Sequence, residues 1–316
     1  MSQSSTFSNK EIAVALTVVV IWGLNFVAMK LSLREFTPMQ LGAARYLFAA
    51  APLLLLFKPQ LVPWRVLATY GLLQGVGQFG LLFLALQLGM SASLASVLMQ
   101  TQVFFTALLG WFLLRERLTR TQIGSMFLAL LGLLCFGMHF GNPNAQGVDF
   151  SISGFVLTLC AAFMWGASSI AARKLQQKHP GYDALQFVMW SSIFPVIPFL
   201  ALSYCMDGPQ AFFRLTEVSA MAWVGAIYLG LLATVTAYGL WTWLLKRKPA
   251  NQVAPIGLGV PVIGLLAGMG ILGESLSGWQ IAGIVWIGAS LIFSLLPQQT
   301  LKWLFLRGSK KSATQA

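Results

Sequence analysis

Carboxylates are nearly missing from this sequence. Of 316 residues only eight are Asp or Glu, against twenty Lys or Arg, and charged residues make up 9% of the whole. Soluble globular chains carry roughly a quarter of their residues as charges, so that class is excluded. The eight acids are Glu11, Glu35, Glu116, Asp149, Asp183, Asp207, Glu217 and Glu274, and all fall in loops or at the ends of apolar runs. An intramembrane carboxylate is the usual proton carrier of a pump or antiporter, and none is evident here. Histidine is limited to His139 and His179, one at a run's end and one in a loop, and cysteine to Cys135, Cys160 and Cys205, in or near apolar runs. That inventory is too small for a metal centre, a disulfide framework or a His-dependent enzyme, and the cysteines read as small packing residues. No catalytic residue, metal or cofactor is expected.

What the chain has in abundance is apolar surface, with 57% hydrophobic residues and a mean hydropathy of +0.76. Runs long enough to cross a hydrocarbon core of about 30 Å as helices cover roughly 11 to 29, 39 to 57, 66 to 88, 92 to 114, 121 to 140, 154 to 172, 184 to 205, 219 to 244, 250 to 272 and 279 to 297. The sequence therefore predicts an all-α integral membrane protein with ten transmembrane helices. The first run lacks a small-residue cleavage site and is too long for a signal-peptide core, so it is expected to be retained. The net charge of +12 raises the question of a nucleic-acid partner, but the placement of the cations argues for a bilayer instead. With the N-terminus inside, sixteen cations fall in cytoplasmic segments, while Lys30, Arg34 and Arg214 fall outside and Arg45 lies within a run, which accounts for all 20. That is the positive-inside pattern. It places both termini in the cytoplasm and predicts no nucleic-acid partner.

A repeat organises these runs. Under a shift of 158 positions Glu116 falls on Glu274, Leu118 on Leu276, Gln122 on Gln280, Tyr70 on Tyr228 and Leu73 on Leu231. Trp22-Gly23 is echoed by Trp165-Gly166 near the start of each half. The halves are 11–140 and 154–297, joined by a polar turn-rich link at 141–147 and followed by a basic tail at 298–316 suited to anionic lipid. Five runs is an odd number, so the second half is inserted upside down relative to the first. Inverted repeats with a substrate site near the midplane are a recurring plan of secondary transporters.

Candidate site residues are the polar and aromatic side chains near mid-run. Arg45 lies seven residues past Pro38, about 10 Å deep at the usual helical rise. It either binds a substrate carboxylate in bidentate fashion or snorkels to backbone carbonyls. Gln74 and Gln78 share a face, as do Ser96 and Gln100. Trp22 and Asn25 are three apart, matched by Trp165 and Ser168, and Thr234, Tyr238 and Trp241 form one stripe. Interhelical hydrogen bonding is the plainer role for each alone; as a set they read as a cavity lining. Gly268, Gly270 and Gly273 spell GxGxxG with no strand before them, so a dinucleotide site is rejected and helix packing is expected. Pro195, Pro198, Pro255 and Pro261 are expected to kink their helices.

The segment Trp22-Gly23-Leu24-Asn25-Phe26-Val27, the pair Gln78-Phe79, the run GMSASLASVLMQTQVFFTALLGWFLLRERL from Gly89 to Leu118, and Pro261 together resemble the EamA family of the drug/metabolite transporter superfamily. The resemblance covers both halves. It implies ten helices in two inverted five-helix repeats, cytoplasmic termini, an inner-membrane location, and export of small amino-acid-like metabolites such as O-acetylserine and cysteine. It also implies a central cavity lined from the first, third, fourth, sixth, eighth and ninth helices. The expected function is metabolite export by alternating access, with Trp22, Asn25, Arg45, Gln74, Gln78, Gln100, Trp165, Ser168, Thr234 and Tyr238 as the substrate-binding set. Drug efflux or nutrient uptake on the same fold, and a membrane enzyme or scaffold, are the alternatives. Substrate identity, coupling and association into a homodimer stay open.

Overall fold

The structure is a computed structural model that describes residues 7–56, 62–140, 151–179, 181–248 and 250–295. The link at 141–147, Asp149 and the basic tail at 298–316 lie outside the described residues. The regular structure of those described is all helix, with no strand among them. Seven helices are long and apolar enough to cross a membrane: α1 (Asn9–Ser32), α3 (Trp64–Gln87), α4 (Ala92–Leu114), α5 (Arg120–Phe140), α6 (Ile152–Lys178), α7 (Ala184–Asp207) and α8 (Ala220–Leu245). Between the first two runs α2 (Pro38–Leu56), and two shorter apolar helices follow, α9 (Ile256–Leu272) and α10 (Gly278–Ser294). The external stretch after α7 contributes one short helix, Gln210–Arg214.

The chain divides into two compact units, one drawn from Met1–Thr106 and Val148–Ser275, the other from Ala107–Gly147 and Leu276–Ala316. In the larger unit, helices approach closely wherever glycine replaces a side chain. A Cβ on Gly71 would collide with the Ser191 carbonyl and one on Gly75 with the Pro195 ring, so α3 lies directly on α7. A Cβ on Gly230 would stand 2.5 Å from Phe48 Cβ and 2.7 Å from the Arg45 carbonyl oxygen, which brings α8 onto α2. Gly264 faces Ser96 and Gly268 faces Ser93, which packs α9 on α4; of the GxGxxG glycines only Gly268 has this packing role, since Gly270 faces open space and Gly273 ends α9 at a positive φ of 68°. In the smaller unit α5 and α10 are in contact, with Gly283 against the Phe136 ring and Gly132 against Ile287.

Helix irregularities fall in matching places. Residues Leu73–Gly80 of α3 and Tyr228–Thr236 of α8 are wide π turns. Met99–Thr101 of α4 and Ala254–Leu258 just before and into α9 are tight 3₁₀ turns. In α7 the ladder breaks at 192–195, ahead of Val196 and beside Pro195, one of the kinks the prolines predict. The α4–α5 and α9–α10 turns also match atom for atom. Arg115 and Gly273 both take positive φ, 56° and 68°. The N–H of Glu116 donates to the Gly110 carbonyl and that of Glu274 to the Gly268 carbonyl, each at 3.2 Å. Thr119 and Gln122 cap α5 reciprocally, as Ser277 and Gln280 cap α10.

The few carboxylates are committed to helix ends, where unpaired N–H groups would otherwise be stranded. Glu274 accepts from the N–H groups of Ala92 at 2.7 Å and Ser93 at 2.8 Å, closing the start of α4. Glu35 accepts from the Ser219 hydroxyl and N–H at the start of α8, and these bonds hold its carboxyl below the usual carboxylate range. Asp207 accepts from Thr37 and Ser203. On the opposite ends of the helices, Asp183 caps α7 and pairs with Lys246 at 3.1 Å, and Glu11 pairs with Lys248 at 3.3 Å. Substituting Glu274→Ala removes two charge-assisted bonds. We expect a loss of about 1–3 kcal/mol, read as a lowered melting temperature in detergent; an unchanged melting curve contradicts the capping role.

Candidate functional site

The two π turns place their side chains around one cavity in the larger unit. A π turn inserts an extra residue into the helical ladder and recurs at functional sites. Here the first presents Gln74 and Phe79 and the second Thr234, with Tyr238 four residues on; all four line a cavity with Arg45, Tyr46, Tyr70, Ser191 and Ser192. The free space among them is about 10 Å³, room for a single water, so a larger ligand enters only as the walls move apart. The serines come from the end of α7's first segment, where the break at 192–195 ends the helix. Carbonyls in and around the second wide turn accept side-chain donors. Trp22 donates its indole N–H to the Ala233 carbonyl at 3.0 Å, and Thr234 its hydroxyl to that of Leu229 at 2.9 Å.

Arg45 is the charged centre of this cavity. Only 2% of its surface is exposed, and no carboxylate among the described residues pairs with it. Its Nη1 donates to Asn25 Oδ1 at 3.2 Å, and its guanidinium carbon stands 3.6 Å from the centre of the Phe79 ring. Its Nε has no hydrogen-bond partner. A buried, positively charged group held by one amide oxygen and one aromatic face is strongly under-compensated. Among the described residues Arg45 makes no hydrogen bond to a backbone carbonyl.

Across from Arg45, Gln74 Nε2 donates to the Tyr238 hydroxyl at 2.8 Å, which leaves Gln74 Oε1 buried and without a partner. Gln78 Oε1 is likewise buried and unpartnered. Tyr238 stands edge-on to Trp22, with ring centres 5.2 Å apart, and Trp22 also meets Trp241 at 5.4 Å. The stripe Thr234, Tyr238, Trp241 thus does face one way. Among the described residues no group of three or more His, Cys, Asp or Glu is placed to hold a metal ion.

The structure gathers Arg45, Gln74, Thr234 and Tyr238 in the cavity wall, with Asn25 and Trp22 one contact behind it. Gln78, Gln100, Trp165 and Ser168 are not in the wall; Gln78 is buried in the first π turn, 3% exposed, and the Ser168 hydroxyl bonds its own helix at the Trp165 carbonyl, 2.8 Å away. Sequence reasoning did not select Tyr46, Tyr70, Ser191 or Ser192. Tyr70 left a trace as the repeat partner of Tyr228, and the serines precede Pro195, where a helix break exposes what comes before it.

Residues 9–138 and 152–296 each match the EamA-like transporter family. The chain is 39% identical over 289 residues to a probable amino-acid metabolite efflux pump of Salmonella typhimurium, covering 91% of this chain and 95% of that protein. It is 36% identical over 297 residues to a probable amino-acid metabolite efflux pump of Escherichia coli, covering 94% and 97%. A solved crystal structure of a protein 20% identical superposes with a TM-score of 0.59 over 91% of this chain and 97% of that one, a likeness of fold. Matched in both of its halves, the chain is a multi-pass membrane protein that belongs to the EamA-like transporter family.

Proposed function

We propose that this chain exports small amino-acid-like metabolites from the cytoplasm, O-acetylserine and cysteine among them, by alternating access between two inverted five-helix halves. The observation that carries this reading is Arg45, a buried guanidinium with no carboxylate partner among the described residues and an unsatisfied Nε, set in a cavity wall. A substrate carboxylate supplies the missing partner, and two opposite charges about 4 Å apart attract by about 4 kcal/mol at an effective dielectric near 20. The names of the Salmonella and Escherichia relatives support the substrate class.

The ten-span arrangement with 11–140 and 154–297 as its halves is supported by the paired π turns, the paired 3₁₀ turns and the matching positive-φ positions Arg115 and Gly273. Five spans per half invert the second copy, with both termini cytoplasmic in the inner membrane. Rocking of the halves then exposes the Arg45 cavity to each side in turn. Gln100, Trp165 and Ser168 are proposed to line the path in another state of that cycle.

Cells overproducing the protein are expected to release more O-acetylserine and cysteine than vector controls, as measured by metabolite analysis of the medium; unchanged levels of these and of other amino acids contradict the substrate class. In proteoliposomes Arg45→Gln is expected to weaken apparent affinity for carboxylate substrates by about 100-fold or more, since about 4 kcal/mol spans nearly three decades. Equal affinity in that variant removes Arg45 from the substrate.

A further inference from the structure

We infer that the cavity recognises both ends of an α-amino-acid head group, the carboxylate at Arg45 and the ammonium at the carboxamide oxygen of Gln74, leaving the side chain unspecified. This rests on the proposed export of amino-acid-like metabolites and narrows it. The unsatisfied atoms are of two complementary kinds. Arg45 Nε is a donor that lacks an acceptor and Gln74 Oε1 is an acceptor that lacks a donor, and both side chains line the cavity. Gln74 is 5% exposed. The Tyr238 hydroxyl fixes Gln74 by accepting from its Nε2, so the carboxamide is oriented before any ligand arrives.

No acid stands in the cavity wall. An ammonium is therefore held by a neutral oxygen, which accepts its N–H bond without adding charge of its own. The arrangement also sets what is refused. An amine without a carboxylate brings a second positive charge beside Arg45 and nothing to neutralise it, so simple amines and quaternary ammonium drugs are excluded by repulsion. An N-acylated amino acid keeps the carboxylate but offers the Gln74 oxygen one N–H where an ammonium has three, and no positive charge. An ester of the amino acid keeps the ammonium but loses the anion.

The test is competition against labelled L-cysteine counterflow in proteoliposomes under reducing conditions, using L-serine, N-acetyl-L-serine, L-serine methyl ester and ethanolamine. L-Serine is expected to compete, and the three blocked analogues to be weaker by about tenfold or more, the span of hydrogen bonds to a charged group. Gln74→Met, which keeps length but removes the amide, is expected to weaken L-serine by about tenfold while leaving N-acetyl-L-serine within twofold. Gln74→Leu gives the same readout should the first variant fail to fold. If serine and its N-acetyl form compete equally while Arg45 still governs both, the head-group inference falls and carboxylate export stands. Absence of any amino-acid counterflow in the folded wild type overturns both.

Discussion

A buried guanidinium, without a counter-ion among the described residues, is the interaction around which the larger unit is organised. Removing Arg45 from water costs several kcal/mol even after local relaxation, and Asn25 Oδ1 with the face of Phe79 recovers only part of that. A desolvated cation over an aromatic ring is worth about 2 kcal/mol or more. The remainder is a standing deficit that a ligand of the right charge relieves. Holding the charge in place requires a rigid frame. Gly230 presses α8 against the Arg45 carbonyl, and Gly71 and Gly75 press α3 against α7.

That frame is possible because so few acids exist and each described one with a named partner is engaged elsewhere. Glu274, Glu35 and Asp207 tie helix ends on one side, and Glu11 and Asp183 do so on the other. In lipid, every backbone N–H and C=O needs a partner within the protein, so a carboxylate at a helix start does work that water does in a soluble fold. It also leaves the cavity wall without a carboxylate. The π turns supply polarity of a different kind, neutral amides and hydroxyls beside locally rearranged backbone carbonyls, matched to the proposed zwitterion.

Much of this was legible in the residues. Glu116 and Glu274, aligned by the repeat and read as structural, do occupy equivalent turns, and the aligned Gln122 and Gln280 are the returning halves of two caps. Arg45, Gln74, Thr234 and Tyr238 were found because a polar side chain deep in an apolar run needs a reason. The same logic also selected Gln100, Trp165 and Ser168, which the cavity wall does not contain, because spacing along a helix does not say which neighbour that face meets. The π turns were not anticipated. Their glycines, Gly75, Gly77 and Gly80 in the first and Gly230 in the second, are visible, but an extra residue in the ladder becomes favourable only when a neighbouring helix packs into the space they leave.

The account turns on a carboxylate, not a proton, completing the charge balance of the cavity. Counterflow of a labelled amino acid in proteoliposomes, with the pH gradient first imposed and then collapsed, addresses this most directly. Exchange that persists at a similar rate without the gradient is predicted; exchange that occurs only with the gradient, or not at all, contradicts it.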